Sequence, residues 1–236
     1  MISDINIIKY AENLVKEASK NNLTIRILGS TAIFLISKVQ LSGRPKPIKD
    51  IDIIAYRKEK KTVQNFLLSK GWSLDQKILL LSEFRETFIS DKEDFSIDVY
   101  YDFVDGNHRI NLENRLFISF PTLTIPDLLL TKLQRIKLRA EDIWDCCTLL
   151  NPSFYSEDDI KYLEKKIGSN WGLYFTIITN LQQLKHLCLV RNNFIEFLEK
   201  KFNDCEKSFF WLLRSIIGTK IKWWTEMYNL DIKKDK

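Results

Sequence analysis

The stretch Lys49-Asp50-Ile51-Asp52-Ile53-Ile54 constrains the fold more than any other in this chain. Its β-branched, alternating residues predict a strand, because such side chains suit a pleated surface. Side chains two apart on a strand share a face. Asp50 and Asp52 are therefore expected to project together, with Ile51 and Ile53 turned into a core. Two carboxylates side by side repel. They are tolerated where a positive group lies between them, and a divalent cation is the usual one. The plainer alternative is a loop-ending Asp followed by a solvated one at the strand start.

Upstream, Thr24 to Leu28 reads as a short strand running into Gly29-Ser30-Thr31-Ala32 and a helix over Ile33 to Ser37. Glycine lets a ligand approach the backbone, and a helix N-terminus offers unpaired N–H groups, so the turn suits phosphate. A tight turn with Ser30 as N-cap explains the same residues. The loop Val39 to Lys49 brings Arg44, Lys46 and Lys49 to the paired aspartates, as phosphate contacts or as a solvated basic loop.

Before this strand, Ser3 is expected to cap a helix over Asp4 to Ser19, with Ile5, Ile8, Ala11, Leu14 and Val15 as its buried stripe. After it, Lys58 to Ser69 has helical spacing with Val63, Phe66 and Leu67 inward, and Lys70-Gly71 stops it. Strands are predicted over Trp72 to Leu81, Arg85 to Ser90 and Phe95 to Tyr101, with a hairpin turn at Asp91 to Asp94. Asp98 sits inside the last of these. A mid-strand charge is costly unless it meets solvent, a partner or a metal, so Asp98 is a candidate third carboxylate. Arg115 to Phe120 is expected to be a short strand or extended.

From Asp127 the periodicity is helical: Asp127 to Lys137, Ala140 to Leu150, a helix capped at Ser156 and running to Lys166, then Asn170 to Val190, Asn193 to Phe202 and Asp204 to Tyr228. The expected fold class is α+β, with a mixed sheet flanked by helices over residues 1–121 and an all-helical part over 122–236. The Trp residues of the helical part are expected to be core rather than a base-stacking platform, with at least one of Trp223 and Trp224 partly exposed because adjacent residues cannot share a helix face.

Net charge is +5, which permits an anionic partner without demanding one. The start Met1-Ile2-Ser3-Asp4 has an acid where a signal peptide needs a base. No apolar run approaches the ~20 residues of a membrane span. A cytoplasmic protein with no membrane partner is expected. Cys146, Cys147, Cys188 and Cys205 form no Cys-x-x-Cys pair, which argues against structural zinc and for buried thiols.

The order strand, Gly29-Ser30, helix, strand with Asp50-x-Asp52, later strand with Asp98 resembles the nucleotidyltransferase superfamily typified by DNA polymerase β. The resemblance implies that Gly29 and Ser30 hold a nucleoside triphosphate and that Asp50 and Asp52 bind two Mg²⁺ or Mn²⁺ ions. It makes Asp98 a base or third metal ligand. The stretch between Ser30 and Asp50 is longer than in minimal members. Ile125-Pro126-Asp127-Leu128-Leu129-Leu130-Thr131-Lys132-Leu133-Gln134, followed by Arg139-Ala140-Glu141-Asp142-Ile143-Trp144-Asp145, looks like the segment after the catalytic domain in AbiEii-like nucleotidyltransferases, the toxin half of toxin–antitoxin systems. That likeness implies nucleotide contacts from Lys132 and Arg139, with Asp142 holding a basic residue or the helix pair in place. On an unbroken helix Lys132, Arg135 and Arg139 would share a face; a solvated face is the alternative. The function implied is NMP transfer from an NTP to a hydroxyl on tRNA, protein or a small molecule, with an antitoxin protein as a partner of the toxin reading. A fold kept only for binding or regulation is the alternative, and an unrelated α+β protein with surface acids is a third reading.

Overall fold

The computed structural model describes residues 2–38, 43–76 and 85–226. The start of the Val39 to Lys49 loop, the far part of the Trp72 to Leu81 strand, the Tyr228 end of the last helix and the charged tail lie outside the described residues. The chain is α+β and divides into two compact units, Met1–Asp105 with Arg109–Thr124, and Gly106–His108 with Ile125–Thr225.

The first unit opens with helix α1 (Ile2–Lys20), strand β1 (Ile25–Leu28), helix α2 (Gly29–Ser37), strand β2 (Asp50–Ala55) and helix α3 (Lys60–Ser69). Strands β3 (Ser73–Leu74), β4 (Arg85–Ile89), β5 (Ser96–Tyr101), β6 (Phe103–Asp105) and β7 (Arg109–Asn111) follow. The main sheet runs β1-β2-β5-β4-β3, with β6 paired to β5 and β7. Only β2 and β5 pair in parallel among these strands; their register sets Ile51 beside Ile97 and Ile53 beside Val99.

One sheet face is apolar, with Ile27, Ile51, Ile53, Phe88, Ile97 and Val99 all buried. Tyr10 of α1 meets Phe95 at this face, and Gln64 of α3 donates to Glu86. Ile7, Ala11, Leu14, Val15 and Ala18 form the buried stripe of α1, whereas Ile5, expected in that stripe, is exposed and Ile8 is half-buried. The expected strand at Arg115 to Phe120 is instead a 3-10 turn over Glu113–Arg115 followed by turns, with Phe117, Ile118 and Phe120 exposed.

The second unit holds α4 (Ile125–Leu133), α5 (Ala140–Leu149), α6 (Glu157–Ser169), α7 (Trp171–Leu187), α8 (Asn192–Asp204) and α9 (Phe209–Ile217). The final helix is much shorter than its periodicity suggested, because Gly218 at φ +56° leaves the helical region. Cys147 at the end of α5 and Cys188 after α7 form a disulfide with Cα atoms 5.5 Å apart, correcting the expectation of four thiols. Pairing depends on that proximity, which a separation of 41 residues does not reveal. Cys146 is a buried thiol and Cys205 is partly exposed. Among the described residues no helix is long and apolar enough to cross a membrane.

Candidate functional site

Parallel pairing of β2 and β5 brings the predicted acids together. Asp52 and Asp98 are register partners, and Asp50 stands opposite Ser96. Adjacent strands lie ~4.8 Å apart, and side chains in register share a face. Asp50, Asp52 and Asp98 therefore occupy one face, opposite the apolar one. Asp50 is exposed, Asp52 half-buried and Asp98 buried.

The neighbouring strand supplies two residues that sequence reasoning missed. Thr87 stands opposite Asp98 and donates its hydroxyl to Asp98 Oδ1 at 2.5 Å. Arg85 stands opposite Tyr100 and places Nη1 3.2 Å from Asp98 Oδ2. Burial alone would lower the Arg85 pKa, but Tyr100, Asp98 and Asp52 together raise it above its ordinary value. Burial and the charge of Asp52 push the Tyr100 phenol up in turn. Arg85 thus supplies positive charge that the strand pattern alone assigned to a metal. Its place in the sequence, two residues before Thr87 in a strand-like run, gave no hint, because its partners lie on β5.

On the other side of β2, Leu28 of β1 stands opposite Asp52, and α2 begins at the next residue. Gly29 has φ +66°, and a Cβ added there would lie 2.1 Å from Asp52 Oδ2. Only glycine fits both the left-handed backbone and this approach. The first turn of α2 is thereby pressed against the carboxylate. Leu28 caps this turn with no side-chain hydrogen bond. Arg44 donates from Nη2 to Ser30 Oγ at 2.6 Å, placing a guanidinium beside the hydroxyl predicted to meet phosphate. Among the described residues the buried Thr31 Oγ1 next to it has no hydrogen-bond partner.

Carboxylate oxygens such as those of Asp50 and Asp52 are the ligand type that Mg²⁺ prefers. Among the described residues no group of three or more His, Cys, Asp or Glu is placed to hold a metal by itself. Two carboxylates fit an ion that takes its remaining ligands from elsewhere, not an all-protein cage.

In the helical unit, α4 ends at Leu133, so Lys132, Arg135 and Arg139 do not share one unbroken helix. They converge instead on Asp142, at 3.2, 3.7 and 3.3 Å respectively. Lys132 Nζ also lies 2.8 Å from Asp145 Oδ2. Lys132, Asp142 and Asp145 are all buried, whereas Arg139 is half-exposed. Burial works against the Lys132 charge, yet Asp145 and Asp142 hold its pKa above the ordinary value. Asp142 is held low against burial by Lys132, Arg135 and Arg139.

No model of a known family matches the chain. No curated protein matches it either. Solved structures are similar at low identity. A lincosamide antibiotic adenylyltransferase, LnuA, bound to lincomycin, is 13% identical with a TM-score of 0.41, covering 58% of this chain and 92% of that one. The antibiotic-resistance factor ANT(2'')-Ia is 10% identical with a TM-score of 0.39, covering 85% and 92%. An antigenic nucleotidyltransferase-like protein from Paracoccidioides brasiliensis is 15% identical with a TM-score of 0.44, covering 85% and 94%.

Proposed function

We propose that the chain is a nucleotidyltransferase that moves NMP from an NTP to a hydroxyl acceptor. The observation that carries this reading is the meeting of Asp52, in register with Asp98, and the first turn of α2 at Gly29. It sets carboxylates against a helix N-terminus that favours anions.

In this reading Gly29, Ser30 and Arg44 hold the triphosphate. The glycine gives backbone access, the serine a hydroxyl donor, and the arginine a planar fork for phosphate oxygens. Asp50 and Asp52 would hold Mg²⁺ or Mn²⁺, which when bound neutralises phosphate oxygens of an in-line displacement. Asp98 would take the proton of the attacking hydroxyl, its carboxylate oriented by Thr87 and Arg85. The acceptor class we favour is RNA, with tRNA first, on the basic balance of the chain; a protein hydroxyl and a toxin role with an antitoxin partner belong to the same proposal.

A second reading has one observation in its favour. Arg85 lies on the carboxylate that would act as base, which suits a fold that binds a nucleotide without transferring it. One experiment separates the two. The protein is incubated with each labelled NTP, Mg²⁺ or Mn²⁺, and total tRNA, and calorimetry follows NTP binding alone. Transfer of label that Asp50→Ala plus Asp52→Ala abolishes supports the transferase. NTP binding without any labelled acceptor supports the binding module. No NTP binding in the wild type refutes both.

A further inference from the structure

Three carboxylates share one sheet face, yet a cation is already set among them. Arg85 Nη1 lies 3.2 Å from Asp98 Oδ2, and the Thr87 hydroxyl donates to Asp98 Oδ1 at 2.5 Å. Each oxygen of Asp98 therefore has a donor, one of them charged. Strand register makes this pair. Thr87 stands directly opposite Asp98, and Arg85 stands opposite Tyr100, two residues further along β5. Arg85 and Thr87 share a face of β4, so the arginine reaches Asp98 diagonally, a step that long side chains span. No loop has to close for the contact to form.

The pair is also sheltered. The Arg85 side chain is 25% exposed and that of Asp98 10%. Exposed ion pairs hold weakly, but parting a sheltered one leaves a charge buried without compensation. A divalent cation that took Asp98 as a ligand would have to part them, and would bring its own charge up to a guanidinium. A neutral hydroxyl faces neither cost. An ionised carboxylate has about four acceptor positions, so Asp98 can accept from a hydroxyl while keeping Thr87 and Arg85. The placement of the acids agrees. Among the described residues no three His, Cys, Asp or Glu side chains are set to hold one ion together.

We infer that Arg85 is a positioning residue that keeps Asp98 out of the coordination set of a divalent cation. The cation takes Asp50 and Asp52, and Asp98 is kept for the acceptor hydroxyl. The inference rests on the reading of Asp50 and Asp52 as the metal-holding pair. It makes the division of labour among the three acids a property of β4, the strand that carries no acid of the set.

The test is Mn²⁺ binding to the full chain without nucleotide, followed by calorimetry and by the electron paramagnetic resonance signal of unbound Mn²⁺. Arg85→Met removes the guanidinium and lets Asp98 become a third ligand. It is expected to bind Mn²⁺ about tenfold more tightly than the wild type, within the usual range of coupling between sites. Arg85→Gln keeps a neutral donor for Asp98, which guards against a misfolded methionine variant, and should shift affinity in the same direction. In the Asp98→Asn background either replacement should have little effect, a non-additivity that a double-mutant cycle reads. Equal Mn²⁺ affinity in the wild type and both Arg85 variants overturns the inference and leaves the metal-holding pair standing. An equal gain with and without Asp98→Asn shows Arg85 acting as a plain repelling charge, and also overturns it. No Mn²⁺ binding by the wild type or by any Arg85 variant overturns the inference and the metal-holding pair together.

Discussion

Replacing Gly29 by alanine imposes two separable costs. The first is backbone: φ +66° is left-handed, which costs a residue with a Cβ about 1–2 kcal/mol. The second is contact. The new Cβ would lie 2.1 Å from Asp52 Oδ2 and 3.0 Å from its Cγ, so the carboxylate must leave its place. Pushing that side chain off its rotamer costs about 0.5–1.5 kcal/mol more. The total expected loss is about 2–3 kcal/mol of unfolding free energy. The two terms separate in a double-mutant cycle. Asp52→Ala removes the oxygen and Cγ and leaves only the Asp52 Cβ, at 3.2 Å. In that background Gly29→Ala should cost only the backbone share, about 1–2 kcal/mol, giving a coupling of about 1 kcal/mol. Equilibrium urea unfolding of the wild type, both single variants and the double variant measures this. Displacing the Asp52 carboxylate by ~1 Å should also lower any nucleotidyl transfer on the order of a hundredfold. Equal cost of Gly29→Ala in both backgrounds would refute the contact with Asp52. A stability-neutral Gly29→Ala would refute the left-handed backbone.

Three further outcomes are expected. Lys132→Met withdraws the ammonium from two buried carboxylates, Asp142 and Asp145, and should cost on the order of 3–5 kcal/mol in urea unfolding, partly recovered by adding Asp145→Asn. His108 is buried with Nε2 2.8 Å from Thr176 Oγ1, and burial lowers its pKa to about 4. The unfolded chain takes up this proton near pH 6.5 and the native chain does not, so stability should fall as pH drops from about 6.5 to about 4, by up to roughly 3 kcal/mol. His108→Asn should flatten that slope relative to wild type, and parallel pH profiles would count against it. Thiol titration of the denatured, unreduced protein should find two free cysteines, Cys146 and Cys205, and reduction of Cys147–Cys188 should cost about 4 kcal/mol through loop entropy. Four titratable thiols would disprove the bridge.

Alternation and turn chemistry made much of the first unit legible. Asp50-Ile51-Asp52-Ile53 reads as a strand because its period of two is local, and the structure has a strand there. Gly29 announced a special backbone, and it has one. Helix ends were less legible. An unbroken helix would have set Lys132, Arg135 and Arg139 on one face, but α4 stops at Leu133, where Asn180 Nδ2 from α7 takes up the Leu133 carbonyl. That acceptor is satisfied by a residue 47 positions away, beyond the reach of a local pattern.

By itself the sequence determined the α+β class, the strand that carries Asp50 and Asp52, and the glycine that opens α2, because each follows from short-range periodicity and backbone sterics. Tertiary structure decided what balances the charges. Parallel pairing set Asp98 beside Asp52, antiparallel pairing set Thr87 and Arg85 on Asp98, and a helix break drew three cations onto Asp142. Electrostatic neutralisation depends on distances of a few ångströms between segments far apart in the chain, and only folding fixes those distances.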